Sequence, residues 1–326
     1  MNVVERKTLS LLKILVNNLH PQNGSYDGVS YHFEDAQFRG QVASDLIKER
    51  ITAGKPLMVA RFGATELAFL TTYLITEEKS WWLRKRLYYV RNQIRAFGWE
   101  NRVIDDMINV SGFFPYSLTN AHRYTNLVLE DIRQLDILGS WLYRERLLTP
   151  ELRHVIKVQL PDLEPYYHQN PWSEVLAGKK VLVVHPFEDT IRKQYLLRHL
   201  LFDDKRVLPD LQLDVLKAVQ SAGQSKTQFA DWFQSLNYMK AQMDQRDYDI
   251  AIVGCGAYGF HLAAHAKRNN KIGIHLGGAT QMLFGIRGKR WEKYDGSREL
   301  MNDHWVRPSD SERPQKFTLI EDGCYW

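Results

Sequence analysis

Three glycines in the stretch IVGCGAYG, residues 252–259, have the spacing G-x-G-x-x-G. Gly254, Gly256 and Gly259 follow an apolar run and precede a helical pattern. In a dinucleotide site such glycines bring the pyrophosphate to a helix N-terminus. An acidic residue about twenty residues further along the chain then binds the ribose hydroxyls. The next apolar run, KIGIHLGG, ends in His275 and glycines without an acid. The sequence therefore disfavours a nicotinamide, flavin or S-adenosylmethionine site. Two interpretations of the motif remain: a turn that presents backbone N–H groups to phosphate, or glycines that are needed for close packing.

A second turn, RFGATE, follows the apolar run PLMVA. Gly63 allows a sharp turn, and Thr65 and Glu66 then fall in the first turn of a helix. An acid in this position either caps the helix or acts as a ligand for Mn²⁺, Mg²⁺ or a sugar. Arg61 would offset phosphate charge at the same turn.

Imidazole and carboxylate groups end two further apolar runs. His185 and Glu188 are candidates for the general base that accepts a proton from an acceptor hydroxyl. Glu188 and Asp189 also suit the start of a helix. His275 is either a ligand-facing imidazole or a half-buried structural one.

The segment GIRGKRW carries Arg287, Lys289 and Arg290 between glycines. Cations on such a segment suit a diphosphate leaving group, because they stabilise the charge that develops on it. A solvated basic loop is the alternative interpretation.

Buried strands must position these residues, and each clear strand precedes a helical pattern. Continuous apolar runs indicate strands covered on both faces, and the strand–helix order predicts parallel pairing. Ligands in such sheets bind at the carboxyl ends of the strands. The four clear strands lie in 56–63, 179–188, 247–256 and 271–278, and LDILGS and HVIKVQL are further candidates. The remaining expected ligand-binding residues on this rim are Cys255, Ala257, Tyr258, Gly277, Gly278 and Gln281.

The chain shows no internal repeat and no Gly/Ser linker. We therefore expect one α/β domain over residues 1–326, with a Rossmann-like, mostly parallel sheet and helices on both faces. Residues 77–134 are expected to form a helical insertion, and residues 292–326 a C-terminal extension. Within the insertion, the basic and aromatic residues of 81–95 form either a solvated amphipathic helix or a contact with a lipid surface.

The composition is that of an ordinary globular protein, with 44% hydrophobic and 25% charged residues. A net charge of +5 mildly favours an anionic partner, which we take to be nucleotide phosphate rather than nucleic acid. Cys255 and Cys324 are the two cysteines, which excludes a disulfide framework and favours a reducing cytoplasm. The first twenty residues predict an amphipathic helix interrupted by charges, too short to span a membrane.

Three segments together resemble bacterial glycosyltransferases of the GT-D type and their relatives from surface-polysaccharide gene clusters. They are MVARFGATE, the stretch from DYDIAIVGCGAYG to GIRGKRW, and the closing HWVRP and EDGCYW. The resemblance covers most of the chain in order and is strongest over 56–70 and 249–308. It implies a Rossmann-like sheet, a nucleotide-diphosphate sugar as donor and a saccharide as acceptor. A lipid-linked acceptor would place the protein at the inner face of the membrane.

The match to the GT-D turn is incomplete. In the best-known members the first strand ends in R-[FY]-G-D-G-E, whose Asp and Glu hold the metal of the donor. Arg61, Phe62, Gly63 and Glu66 match this turn, whereas Ala64 stands in place of the Asp. The resemblance thus implies a glycosyltransferase whose metal, if it binds one, rests on Glu66 with another carboxylate. The alternatives are another glycan-modifying transferase, such as a pyruvyl- or methyltransferase, or a non-catalytic saccharide-binding relative.

Overall fold

The protein contains a seven-stranded sheet, seen in a computed structural model that describes residues 3–19, 25–26, 29–30, 35–77, 82–91 and 99–326. The strands within these residues are β1 Ser25–Tyr26, β2 Val29–Ser30, β3 Leu57–Ala60, β4 Ile137–Ser140, β5 Ile156–Gln159, β6 Lys180–His185, β7 Gln212–Lys217, β8 Ile250–Val253 and β9 Ile272–His275. The helices are α1 Val3–Leu19, α2 Gln41–Thr52, α3 Ala64–Glu77, α4 Trp82–Val90, α5 Asn101–Asn109, α6 Leu118–Ile132, α7 Glu188–Leu196, α8 Arg198–Leu201, α9 Trp232–Asp244, α10 Gly259–Arg268, α11 Ala279–Leu283, α12 Lys289–Glu292 and α13 Asp295–Arg298. Strands β1 and β2 pair with each other, apart from the main sheet.

The main sheet has the order β5-β4-β3-β9-β8-β6-β7, and every pairing in it is parallel. Its central strands are buried on both faces, as the continuous apolar runs predicted. In β3, Met58 and Ala60 pack into the core on one face, while Leu57 and Val59 pack into the core on the other. The prediction of a Rossmann-like α/β fold with a mostly parallel sheet is confirmed.

Two layers of helices cover the sheet. Residues of α3, α5, α6, α9 and α10 form one core with the strands, and residues of α2, α7, α8 and α11 form the other. The expected helical insertion, 77–134, contains α4, α5 and α6, and its residues 78–81 and 92–98 lie outside the described part of the chain.

The direction of the chain reverses between two neighbouring strands. From β6 the chain continues through α7 to β7 at one edge, and from β8 it continues through α10 to β9 on the other side. A crevice forms at the carboxyl ends of strands where connections diverge in this way. The turns after β6 and β8 are those that carry His185 and the glycine motif.

The sequence analysis identified six of the seven strands and missed β7. This strand lies at the edge of the sheet, pairs only with β6, and has the mixed sequence QLDVLK. Gln212 and Lys217 at its ends are exposed, whereas Val215 and Leu216 are buried. An edge strand lacks the continuous apolar run that marked the central strands.

Helix α1 packs against α4, where the Lys13 ammonium lies 4.5 Å from the ring centroid of Tyr89. Leu11, Ile14 and Leu15 of α1 remain exposed. No helix in the described part of the chain is long and apolar enough to cross a membrane. Residues 81 and 92–95 of the basic and aromatic segment lie outside that part.

The C-terminal extension packs onto the domain. The Trp305 indole is buried and donates to the carbonyl oxygen of Leu201 at 2.9 Å. The last residue, Trp326, packs edge-on against Phe187 beside the end of β6, with ring centroids 5.6 Å apart. The final residues therefore lie at the carboxyl edge of the sheet, next to the predicted rim.

Candidate functional site

Two adjoining clefts open at the carboxyl ends of the central strands. The larger, which we call the charged cleft, has a volume of about 530 Å³. The second, the aromatic cleft, has a volume of about 360 Å³. Both volumes lie in the range of about 300–1,000 Å³ that is usual for ligand pockets. The clefts share Arg61, Trp141, Gly278 and Arg290, and thus meet along one wall.

The charged cleft brings together much of the predicted rim. Its lining consists of Arg61, Gly63, Ala64, Thr65, Glu66, Asp106, Val110, Trp141, Gly256, His275, Gly277, Gly278, Lys289, Arg290, Lys293, Glu321, Asp322, Cys324 and Tyr325. Four of these side chains are cationic and four are acidic. Within the described part of the chain, Arg61, Lys289 and Lys293 form no ion pair, so their charges are available to an anionic ligand.

Arg61 lies on the wall that the two clefts share. Its guanidinium carbon is 5.0 Å from the ring centroid of Trp141, and its buried Nε has no hydrogen-bond acceptor among the residues that the structure describes. Burial lowers the pKa of Arg61, and the carboxylate of Glu66 opposes that shift. A cation held without an acceptor in a cleft is ready to bind an anion, because ligand binding supplies the missing hydrogen bonds.

The turn after β3 is shaped around the Glu66 carboxylate. A Cβ atom at Gly63 would lie 1.6 Å from Oε2 of Glu66, so any larger residue at 63 would displace this carboxylate from its position. Glu66 stands in the first turn of α3, as predicted, and makes no hydrogen bond or ion pair within the described residues. Its half-buried carboxylate therefore faces the charged cleft and not a protein partner.

The three glycines after β8 serve different purposes. A Cβ at Gly254 would lie 2.6 Å from the carbonyl oxygen of Gly277, and a Cβ at Gly259 would lie 2.4 Å from the His275 ring. Both glycines thus allow the turns after β8 and β9 to pack closely, which favours the packing interpretation for these two. Gly256 has a φ of +56° and lines the charged cleft.

The two histidines at strand ends are neutral near pH 7. Burial lowers the pKa of His185 to about 3, and burial together with the Arg61 charge lowers the pKa of His275 to about 3. Nδ1 of His185 accepts a hydrogen bond from the Phe187 amide at 3.1 Å. A base with such a low pKa is poorly matched to proton abstraction at neutral pH.

The three cationic residues of the basic segment after α11 have different surroundings. Lys289 lines the charged cleft, whereas Arg287 is exposed and lines neither cleft. Arg290 forms an ion pair with Glu321 and donates to the Tyr325 hydroxyl at 3.1 Å. These contacts fix the last residues of the chain in the wall of the charged cleft.

Glu188 lies apart from the two clefts. Its carboxylate pairs with Arg192 at 3.1 Å on the surface of α7. The N-terminus of α7 is capped by Glu312 of the C-terminal extension, which accepts from the amides of Asp189 at 2.8 Å and Thr190 at 3.2 Å. This helix N-terminus is thus already filled by a carboxylate of the protein.

A small cavity of about 80 Å³ lies in the crevice between β6 and β8. The Tyr258 hydroxyl, which lines it, is 2.8 Å from the Ser221 hydroxyl, and its ring stacks on Trp232. Burial raises the pKa of the Cys255 thiol, which makes this cysteine unsuited to nucleophilic chemistry. The predicted residues in the lining of this cavity are His185, Gly254, Cys255, Gly256, Tyr258, Gly278 and Gln281. Ala257 is buried beneath the charged cleft.

The aromatic cleft contains functional candidates that sequence reasoning missed. Trp141 directly follows β4, and its amide donates to the buried Glu145 carboxylate at 3.1 Å, which fixes this turn. Tyr167 and Tyr294 are 42% and 38% exposed on the walls of the cleft. The strand-end rule would have identified Trp141 had it been applied to LDILGS, whereas Glu164 lies five residues after the end of β5.

Glu164 is the carboxyl group of the aromatic cleft. Its Oε2 accepts a hydrogen bond from the Tyr166 hydroxyl at 2.6 Å. Burial raises the pKa of Glu164 to about 7, although the Tyr166 hydrogen bond and the Arg61 charge act in the opposite direction. A carboxyl group with a pKa near neutrality in a cleft is matched to general acid–base catalysis.

Within the described residues, no group of three or more His, Cys, Asp or Glu is arranged to hold a metal ion. Glu66 is the predicted ligand, and it stands in the cleft without a second carboxylate at position 64. A metal at this place would need ligands from the substrate in addition to Glu66.

Comparisons with protein-family models, curated proteins and solved structures give no significant match to this chain.

Proposed function

We propose that this protein is a glycosyltransferase that moves a sugar from a nucleotide-diphosphate donor to a saccharide acceptor in bacterial surface-polysaccharide synthesis. One observation carries the proposal: a cleft with three cations that form no ion pair among the described residues meets an aromatic cleft that contains a carboxyl group. A donor of this class has an anionic diphosphate and a sugar, and the two clefts match these two chemistries side by side.

The diphosphate would bind in the charged cleft. The planar fork of Arg61 suits two phosphate oxygens, and Lys289 and Lys293 would contribute point charges. In the reaction the bond to the diphosphate breaks and negative charge develops on the leaving group, so these cations favour the transition state over the ground state.

A divalent metal is part of the proposal only through Glu66. Mg²⁺ is commonly bound by one or two carboxylates together with substrate phosphates, and Glu66 could supply one such ligand. A bound metal would further neutralise the leaving diphosphate. The roles given to Arg61, Lys289 and Lys293 do not depend on it.

The proposal implies a cytoplasmic location, and a lipid-linked acceptor would bring the protein to the inner face of the membrane. The exposed residues Leu11, Ile14 and Leu15 of α1, next to α4, offer an apolar face for that contact. Co-flotation of the protein with liposomes that contain anionic lipid, and its loss in a Leu11→Ser, Leu15→Ser variant, would test this part.

The central experiment is calorimetric titration of the full chain with UDP and GDP, each with and without Mn²⁺. We expect one nucleoside diphosphate to bind with a Kd far below that of inorganic phosphate, which serves as the control for simple charge attraction. If neither nucleotide binds under either condition, the proposed function is wrong.

A further inference from the structure

The walls of the aromatic cleft offer two kinds of surface. The rings of Tyr167 and Tyr294 are partly exposed, while Trp141 and Trp291 are almost fully buried behind them. The C–H faces of a sugar ring are apolar and pack against aromatic rings, and the hydroxyl groups at the edge of the sugar need polar partners. Arg61, on the wall shared with the charged cleft, and Glu164, which lines the aromatic cleft alone, supply such partners.

The position of the aromatic cleft relative to the cations of the charged cleft indicates whether it would hold the donor sugar or the acceptor saccharide. If the diphosphate contacts Arg61 and Lys289, the donor sugar extends toward the wall that both clefts share. A second saccharide in the aromatic cleft would then adjoin that donor sugar, which brings an acceptor hydroxyl next to the reacting carbon.

Glu164 lies where a base for the acceptor would be needed. One of its oxygens is held by the Tyr166 hydroxyl at 2.6 Å, which fixes the orientation of the carboxyl group. The other charged or titratable groups in the lining of this cleft are Tyr167 from its own segment, Arg61 from the turn after β3, Arg290 from α12, and Tyr294. None of these is a carboxylate, so no other acid in the lining of this cleft competes for the proton.

We propose that the aromatic cleft is the acceptor-saccharide site and that Glu164 is the catalytic base that takes the proton from the acceptor hydroxyl. The proposal rests on the proposed function and deepens it. The acceptor oxygen forms a bond to the anomeric carbon of the donor sugar, and the bond from that carbon to the diphosphate oxygen breaks. The electron pair leaves with the nucleoside diphosphate, and the hydroxyl proton moves to the Glu164 carboxylate and then to solvent.

The binding half is tested with methyl glycosides as probes. Saturation-transfer NMR of the full chain with methyl β-glucoside, methyl β-galactoside and methyl β-N-acetylglucosaminide should show contact with the ring protons of at least one of them. Tyr294→Ala should weaken that binding about tenfold, while Tyr294→Phe, which keeps the ring, retains it.

UDP or GDP titration of the same variants separates this inference from the proposed function. Nucleotide binding unchanged in Tyr294→Ala, together with weakened glycoside binding, supports the acceptor site. Weakened nucleotide binding with no effect on glycosides would place the donor base in the aromatic cleft and overturn the inference. Nucleotide binding by the native chain without contact to any glycoside would also overturn it, and would leave the proposed function standing.

The catalytic half is tested by hydrolysis of the nucleotide sugar that binds most tightly, with water taking the place of the acceptor. Glu164→Gln should lower kcat about 10²- to 10⁴-fold and leave the donor Kd unchanged. In the native chain the rate should rise with pH through about 7, since the carboxylate form is the base, and this rise should be absent in Glu164→Gln. Glu151→Gln, which changes an exposed carboxylate, is the matched control.

Unchanged kcat in Glu164→Gln, or a persisting rise in rate through pH 7, would show that another group is the base. The donor Kd and the thermal midpoint report whether the variant is folded. If Glu164→Gln loses both donor binding and folded structure, Glu164→Asp is the second variant, because it keeps the carboxyl group and shortens the side chain by one methylene. The inference then requires a lower kcat in Glu164→Asp at an unchanged donor Kd.

Discussion

Replacing Arg61 should weaken nucleotide binding without destabilising the fold. The guanidinium is held over Trp141 with its Nε buried and without an acceptor, and it has no ion pair within the described residues. Burial lowers its pKa, which means that folding disfavours the charged form. A residue that opposes folding in this way is expected at a binding site, where the ligand provides the missing partner. Arg61→Met keeps the aliphatic packing and removes the charge.

The size of the effect follows from the hydrogen bonds that the charge would make. A hydrogen bond to a charged group contributes about 1.5–3 kcal/mol, and each 1.4 kcal/mol corresponds to a factor of about ten in Kd. We therefore expect Arg61→Met to weaken UDP or GDP binding about 10- to 150-fold. Arg61→Lys keeps the charge but not the planar fork, so its loss should be smaller. The thermal midpoint of Arg61→Met should be equal to or above that of the native chain.

The assay combines calorimetric titration with a thermal unfolding scan. Arg206→Met is the matched control, because Arg206 pairs with Asp204 at 2.8 Å and lines neither cleft. Nucleotide affinity that is unchanged in Arg61→Met would refute the assignment of the charged cleft. A thermal midpoint that falls together with affinity would instead show that Arg61 supports the structure.

Three further predictions concern the residues that hold the site in place. Gly259→Ala should destabilise the protein by about 1–3 kcal/mol in urea unfolding, because the new Cβ would meet the His275 ring, and this clash should outweigh the better helix propensity of Ala. Adding His275→Ala to the same chain should restore stability. Glu312→Ala should cost about 1–3 kcal/mol in the same assay, since it leaves amides at the start of α7 without an acceptor. Asp131→Asn should cost about 3–5 kcal/mol, because Asp131 is fully buried and pairs with His261 at 2.6 Å. Burial opposes ionisation of Asp131, yet His261 and a neighbouring arginine lower its pKa below the ordinary value. The stability that ionised Asp131 contributes is therefore present above pH about 4, and it is lost as the pH falls through the pKa of the folded state. A urea midpoint of Asp131→Asn that matches the native one at pH 7 would contradict this assignment.

The fold could be predicted from the sequence because burial leaves a direct pattern in it. Strands buried on both faces, such as β8 with its run of Ile, Ala, Ile and Val, have no polar side chains to interrupt them. The order of strands and helices then determines parallel pairing. The place of each strand in the sheet could not be predicted, because the sequence does not show that the last strand, β9, inserts between β3 and β8.

The sequence predicted which residues line the charged cleft only where a strand end also carried a recognisable turn. Arg61, Glu66 and Lys289 do line one cleft, as the shared rim required. Glu188 stands at a strand end too, yet the pairing of its side chain with Arg192 depends on local helix spacing and draws it to the surface. Glu164 was missed because its importance comes from its surroundings, a half-buried cleft and a hydroxyl partner, which the sequence around it does not display.

The glycine motif shows why residue types alone cannot identify a ligand. A pyrophosphate and a crossing backbone both require the absence of a Cβ atom, so both select glycine at the same spacing. Here the carbonyl oxygen of Gly277 and the ring of His275 occupy the space above Gly254 and Gly259. Only the distances distinguish the two cases. They favour the neighbouring turn, where Arg61 forms no ion pair within the described residues, as the phosphate-binding place in the function we propose.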